Sequence, residues 1–443
     1  MTTAQIALQS AGDQASFAAR RWEAIDRVGI GGLSVSFFFS FVQYCLERGD
    51  VIRLLPIVLL IGSAVLLLLM SAREKRRKLL AAAFGPTTVM LISAVCLPVL
   101  FTSMYRPTFY PFEYGLVLIV TLFAIRIVLS QIGLEGLILS FFYGTTAGIL
   151  LVVGLSFNDL LASVDAKRYA PLFFDPNRIA YFAVTAIPAQ LWFATRQKGK
   201  KYVLLVSGVC VLVMGAASSR GSIGALVIGV LVAGSLYCGK GFKYRSLAIT
   251  KNALMVGLTV VCLSAITAAV WPSLLDNAGS YLSTKLQLDD RARGLNSGFT
   301  GRAGNWITVV GTLPKTSWIL GNGYRTSEKD FSFPIDNGYL ATIYELGGIA
   351  AAIILAKYAV FLFQLSAGFL FLKQATGAVL LSLVFTFVVF FANGFVLRAF
   401  FGDGDPASIL TLFAFVATRQ DVLDVVQSSL LEFPSSTDGG GDR

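Results

Sequence analysis

Hydrophobic residues fall in long runs along most of the chain, and each run approaches the roughly 20 residues an α-helix needs to cross a bilayer. The runs cover 28–46, 54–72, 80–102, 112–130, 136–157, 179–195, 202–217, 222–238, 253–272, 338–372, 376–395 and 406–418. This pattern predicts an all-α, polytopic membrane bundle of about twelve transmembrane helices. The last run is short, and the tenth is too long for one simple crossing. A single long polar interval, 273–337, separates the ninth run from the tenth and reads as a large external loop with short helices. The expected organisation is a cytoplasmic N-terminal segment (1–27), spans one to nine (28–272), the loop (273–337), spans ten to twelve (338–420) and a cytoplasmic tail (421–443). The tail ends in SSTDGGGDR, a composition that favours disorder. No cleavage signal stands out before the first run, so that helix is expected to be retained.

Composition supports the pattern. Of 443 residues 56% are hydrophobic and 14% charged, with a mean hydropathy of +0.73, which excludes an ordinary soluble protein. There is no histidine, so a Ser-His-Asp triad, a histidine proton relay, an HExxH zinc site and a histidine haem ligand are all excluded. The five cysteines are scattered singly, mostly in apolar runs, where packing explains them better than disulfides or metal ligation. A net charge of +11 does not imply nucleic acid, because much of it lies in short loops between spans.

Those loops set the orientation. REKRRK (73–78), RQKGKK (196–201) and KGFKYR (240–245) share one side if the spans alternate, and that side is expected to be the cytoplasm. Both termini then lie inside and Phe299–Asp336 lies outside. The outer face still carries Arg106, Arg178, Arg220, Arg302, Arg325 and Arg398, against the usual charge bias. An anionic ligand at the outer leaflet accounts for them, and snorkelling to lipid phosphates is the plainer alternative.

Four constellations carry candidate chemistry. In AASSRGSIG, small residues around Arg220 let backbone amides and a guanidinium approach a ligand, and a helix N-terminus follows; a serine-capped turn is the structural alternative. In FTGRAGNWITVVG, Thr300 can cap a helix on which Arg302 and Trp306, four apart, share a face; WILGNGYR follows, with Gly321 and Gly323 forming a turn before Arg325. In FPIDNGYLATIYELGG, Asp336 is either the cap of the next helix or a reactive carboxylate at the water boundary. Asn337 and Tyr344 share a face of that helix, whereas Asp336 and Glu345 lie on opposite faces. Glu345 would sit inside the span and needs a partner from a neighbouring helix. Gly347 and Gly348 predict a break, which would split the overlong tenth run. In RYAPLFFDPNRIAYFA, Asp175 and Pro176 read as the turn into the sixth span, with Asn177 and Arg178 at its outer end, serving lipid anchoring or ligand contact. GDGDP (402–406) reads as a turn before a proline-started helix rather than a metal site.

In this order the pieces DPN (175–177), SSRG (218–221), GRAGNW (301–306), GNGY (321–324) and DNGYLATIYELGGIA (336–350) resemble the O-antigen ligase and Wzy-type polymerase superfamily of bacterial envelope polysaccharide assembly. The resemblance spans roughly residues 170–372, and the first five helices are only generically consistent with it. It implies a GT-C-like glycosyltransferase of the bacterial inner membrane, with its active site facing the periplasm and no metal or other cofactor. The donor would be a polyprenyl-diphosphate-linked oligosaccharide, and the partners membrane lipids, a flippase and a chain-length regulator, with no nucleic acid. Arg220 and Arg302 would stabilise the leaving diphosphate, Arg178 and Arg398 would assist, and Asp336 would be the base. Asn177, Trp306, Asn337, Tyr344, Glu345 and Arg325 would line the substrate site. Ligases of the superfamily carry histidine where this chain has Asp336, which favours a repeat-unit polymerase. A ligase acting on a lipid acceptor is the alternative within that chemistry. A flippase or transporter of an anionic lipid-linked substrate is the alternative outside it.

Overall fold

The apolar runs fold as helices, and no strand occurs among the residues that this computed structural model describes: 24–43, 50–163, 169–170, 175–196, 200–243, 302–313, 318–333, 335–371, 377–395 and 406–431. Five of these helices are long and apolar enough to cross a membrane. Leu69, Met90, Leu205, Leu231 and Phe363 stand exposed on helix surfaces. Water would oppose such a surface, whereas lipid accepts it. The chain is a helical, membrane-embedded protein.

The N-terminal part packs through small residues. Helix α1 (Ala24–Val42) runs antiparallel to α2 (Asp50–Met70), with Gly32 against Ser63 and Ser36 Oγ donating to the Pro56 carbonyl at 2.8 Å. The basic segment expected as a loop instead forms the first turns of α3 (Arg73–Ala83). Lys, Arg and Glu are good helix formers, and Glu74 pairs with Lys78 at i,i+4. Helix α4 (Pro86–Met104) follows after a break at Gly85, with proline at its first position.

The two expected spans, 112–130 and 136–157, are the two helical limbs of α5 (Tyr110–Leu155), which is broken between them at Gly133. The backbone there (φ 66°, ψ −177°) is open to glycine and strained for other residues. A straight helix of 46 residues would be about 69 Å long, more than twice a bilayer's hydrocarbon core. The first limb is antiparallel to α4, with Gly115 on Leu100 and Phe123 stacked on Phe84. The second limb runs parallel to α1, with Gly144 against Phe37 and Gly148 against Phe41. Small residues at both contacts let the backbones approach closely.

The C-terminal half is built round α12 (Ala378–Gly394), buried along most of its length. Three helices run antiparallel to it: α6 (Pro176–Arg196), α8 (Arg220–Lys243) and α11 (Gly348–Phe371). In α6, Tyr181 meets Phe390 and the Pro188 carbonyl accepts from Ser382 Oγ. In α8, Ser222 reaches Asn393 at 3.5 Å and Gly229 lies on Phe385 and Val389. In α11, Tyr358 packs on Phe391 and Phe361 on Phe387. The N-termini of α6, α8 and α11 therefore gather at the C-terminal end of α12. Helix α7 (Lys200–Ala216) returns to that end from α6, so the described residues of the 196–201 and 240–245 basic segments lie at the opposite end.

The chain stays in the bundle beyond residue 420, where a tail was expected. Helix α13 (Pro406–Val416) gives way at Ala417–Thr418 to α14 (Arg419–Leu431). Thr418 and Asp421 cap the new helix reciprocally, and Asp421 also forms a buried ion pair with Arg126 of α5 at 2.8 Å. Lys357 Nζ donates to the Ala417 carbonyl at 2.6 Å, which ties the break to α11.

Candidate functional site

At the C-terminal end of α12 the chain assembles its polar residues. Asp175 accepts from the Asn177 amide at 2.7 Å, and Pro176 occupies the first position of α6, so the DPN sequence starts this helix as its residue types predict. That places Arg178 in the first turn. Arg220 is the first residue of α8. The turn before it needs a left-handed backbone at Ser218 (φ 52°) and is held by Tyr169, whose amide donates to the Ala216 carbonyl and whose hydroxyl meets Ser156 Oγ at 2.7 Å. The third N-terminus belongs to α10 (Gly338–Leu346). Asn337, not Asp336, is its cap: the Asn337 side chain accepts from the Leu340 amide at 3.0 Å.

Released from capping, the Asp336 carboxylate pairs with Arg302 Nε at 3.0 Å. Arg302 opens α9 (Arg302–Thr312), which lies on α10 through Val309, Ile335 and Ala341. Burial pushes the Asp336 carboxyl above the usual carboxylate range. The Arg302 charge opposes that rise, the Asp175 charge adds to it, and the Arg302 hydrogen bond and the Arg178 charge oppose it again. Residues from two other sequence pieces thus act on one carboxyl. Tyr339 places this group against α12: its hydroxyl donates to the Phe391 carbonyl, and Ser222, two residues past Arg220, meets Asn393 of the same helix end.

The expected break of the tenth run is present. Gly347 (φ 91°) separates α10 from α11, and a break inside a bundle leaves backbone groups without helical partners. The turn at 318–323 supplies those partners. Gly348 and Ile349 amides donate to the carbonyls of Trp318 and Ile319, while the amides of Asn322 and Gly323 donate to Tyr344 and Glu345 carbonyls. The Asn322 side chain adds a bond to the Tyr344 carbonyl at 3.0 Å. Gly321 and Gly323, both at positive φ, form the predicted turn.

Glu345 is buried, and the Ser327 hydroxyl, at the start of the short helix Ser327–Asp330, donates to its Oε1. Tyr344 donates to Asp330 at 2.8 Å, and Arg106 from the end of α4 bridges Asp330 at 3.1 Å and the Asn322 carbonyl at 2.7 Å. Arg325 lies over the Tyr114 ring at 4.7 Å, turned towards α5. Trp306 sits one turn after Arg302, partly buried, while the Arg302 guanidinium is engaged by Asp336. Thr300 and Arg398 lie outside the described residues.

The site therefore divides in two. Arg302 and Arg178 both act on the Asp336 carboxyl, with Arg220 starting its helix at the same end of α12. Tyr344, Glu345 and Arg325 instead belong to the scaffold that holds the 318–330 turn. Sequence reasoning passed over the scaffold residues Ser327 and Asp330 and left Arg106 as one outward arginine among many. Nothing local distinguishes Ser327 or Asp330, and each acquires its role from a distant partner. Chemically, the arrangement offers a partly buried carboxylate of raised basicity and guanidinium groups suited to an anionic oxygen cluster. No protein-family model matches the chain, and no curated protein matches it.

Proposed function

We propose that this protein is a polymerase of lipid-linked oligosaccharide repeat units, transferring glycan from polyprenyl diphosphate to an acceptor sugar hydroxyl at the outer face of a bacterial inner membrane. The carrying observation is the Arg302–Asp336 pair with Arg178 acting on it, beside the helix that Arg220 begins. A base beside cations fits a displacement in which a hydroxyl loses a proton while a diphosphate gathers charge. In this reading the chain crosses the membrane twelve times, the residue 273–337 loop is periplasmic and both termini are cytoplasmic. The basic segments at the far end of the bundle support that orientation.

The acceptor oxygen attacks the anomeric carbon as the bond to the diphosphate oxygen breaks, and the electron pair leaves with the diphosphate. The hydroxyl proton passes to Asp336. Arg220, Arg302 and Arg178 receive the developing charge, and inversion at the anomeric carbon is expected for direct displacement. In the resting arrangement Arg302 occupies the Asp336 carboxylate. A diphosphate that draws Arg302 to itself frees the base, so that only a site holding donor is competent. A flippase supplies the donor, and a chain-length regulator acts beside the polymerase.

The test is the purified protein in proteoliposomes with a polyprenyl-diphosphate repeat unit and no added protein partner. A ladder of glycan lengths on the lipid carrier is expected, and the Asp336→Asn variant should leave the single unit unextended. Transfer of the glycan to a non-carrier lipid in place of a ladder would make the protein a ligase. Movement of the unit across the bilayer without any new glycosidic bond would make it a transporter.

A further inference from the structure

We propose that the turn Trp318–Ile319–Leu320 is inserted into the lipid of the bilayer's interfacial zone, where it anchors the external loop beside the site. The inference concerns where the loop sits and does not depend on the chemistry proposed above. These three residues are 46%, 48% and 38% exposed, and no charge occurs from Trp318 to Tyr324.

An irregular segment enters hydrocarbon only if protein satisfies its backbone, because no water is there to do so. Four backbone bonds to the helix break supply partners of this kind. Trp318 and Ile319 carbonyls accept from Gly348 and Ile349, and Asn322 and Gly323 amides donate to Tyr344 and Glu345. The polar backbone is thus directed inward at the helix break, and the apolar side chains are left outward.

What covers them follows from continuity with α11. Ile349, bonded through its amide to Ile319, begins a stripe on that helix that continues through Val360 and Phe363. The intervals of 11 and 3 residues keep these side chains on one face. Ile349 is 50% exposed and Phe363 73%, on a helix long and apolar enough to cross the membrane. The Trp318 turn caps that lipid-facing stripe at its outer end, with its ring beside Gly348. An indole at the end of a spanning helix is placed where tryptophan favours the boundary between headgroups and acyl chains. The occupant is therefore lipid.

The experiment uses full-length protein in nanodiscs whose phosphatidylcholine carries bromine either high or low on the acyl chain. The fluorescence lost on Trp318→Phe isolates the Trp318 contribution from the other tryptophans. That contribution should be quenched by bromine, more by the shallow than by the deep position, and should resist aqueous iodide. Quenching by iodide and not by bromolipid would place the turn in water and overturn the proposal. Protection from both would overturn it too, in favour of cover by protein such as a second copy of the chain. A Leu320→Trp change in the Trp318→Phe background supplies a second probe, expected to show the same bromolipid quenching. Its failure to do so, in protein that remains monodisperse, would also count against insertion.

Discussion

Gly321 and Gly347 face each other so closely that neither has room for a side chain. A Cβ on Gly347 would lie 2.5 Å from the Gly321 nitrogen and 2.4 Å from the Ile319 carbonyl oxygen, and one on Gly321 would lie 2.7 Å from the Gly347 nitrogen. Both residues have left-handed backbones, with φ of 88° and 91°. This contact is how a loop turn fills a helix break, and it fixes α10, which carries the Asp336 segment, against the outer end of α11.

Alanine at Gly347 combines backbone strain with a backbone clash. We expect Gly347→Ala to cost at least about 2 kcal/mol of stability, read as a lowered midpoint of thermal unfolding in detergent. Gly304, on α9 with nothing near its would-be Cβ, is the matched control. There alanine should be neutral or stabilising by roughly 0.5–1 kcal/mol.

A second prediction concerns the buried pair of Arg126 and Asp421. Removing one partner leaves a charge in the bundle without its counterion. Arg126→Met alone should therefore cost about 3–5 kcal/mol. Replacing both residues by apolar ones should cost less than this single change, because no charge is stranded. Thermal unfolding of the single and double variants measures the difference.

The Arg302–Asp336 pair is partly exposed, so its contribution to stability is small, on the order of 0–1 kcal/mol. Its proposed contribution to rate is much larger. Arg302→Ala should leave the unfolding midpoint nearly unchanged and lower polymerisation by roughly 10²–10³-fold. A large loss of stability with activity retained per folded molecule would make the pair a structural strut only.

The pH dependence follows from Asp336. Its carboxyl must be ionised to accept a proton, and burial raises its pKa above the usual carboxylate range. Activity should therefore fall as pH drops through that raised value, which puts the acid limb higher than for an exposed aspartate. Arg302 opposes the rise, so Arg302→Ala should move the limb to still higher pH. The residual rate of the variant across a pH series would show the shift, and an unmoved limb would mean that Asp336 is not the titrating base.

Much of the helical layout is legible in the sequence because burial in lipid demands long apolar runs, and Gly347 marked its break because glycine next to glycine in such a run has few other uses. The break between the expected spans 112–130 and 136–157 falls in the gap between their apolar runs, but that Gly133 makes it was not legible, since one glycine with a special backbone is indistinguishable in sequence from many others. The sequence left Asp336 open between cap and reactive carboxylate: Asp336 and Asn337 have nearly the same capping chemistry, and in the fold Asn337 caps α10 while Asp336 pairs with Arg302, more than thirty residues earlier. Arg126 and Asp421 illustrate the same limit. They are nearly three hundred residues apart, and their pairing exists only once the bundle has formed.

The most direct measurement is polymer formation in cells lacking their own copy of the gene, comparing wild type with Arg220→Ala, Arg302→Ala and Asp336→Asn at matched membrane expression. Each variant is expected to accumulate single repeat units on the lipid carrier at the outer face and to make no long polymer. Long polymer made normally by Asp336→Asn would contradict the assignment of the base. Lipid-linked units held at the cytoplasmic face would contradict the enzyme reading as a whole.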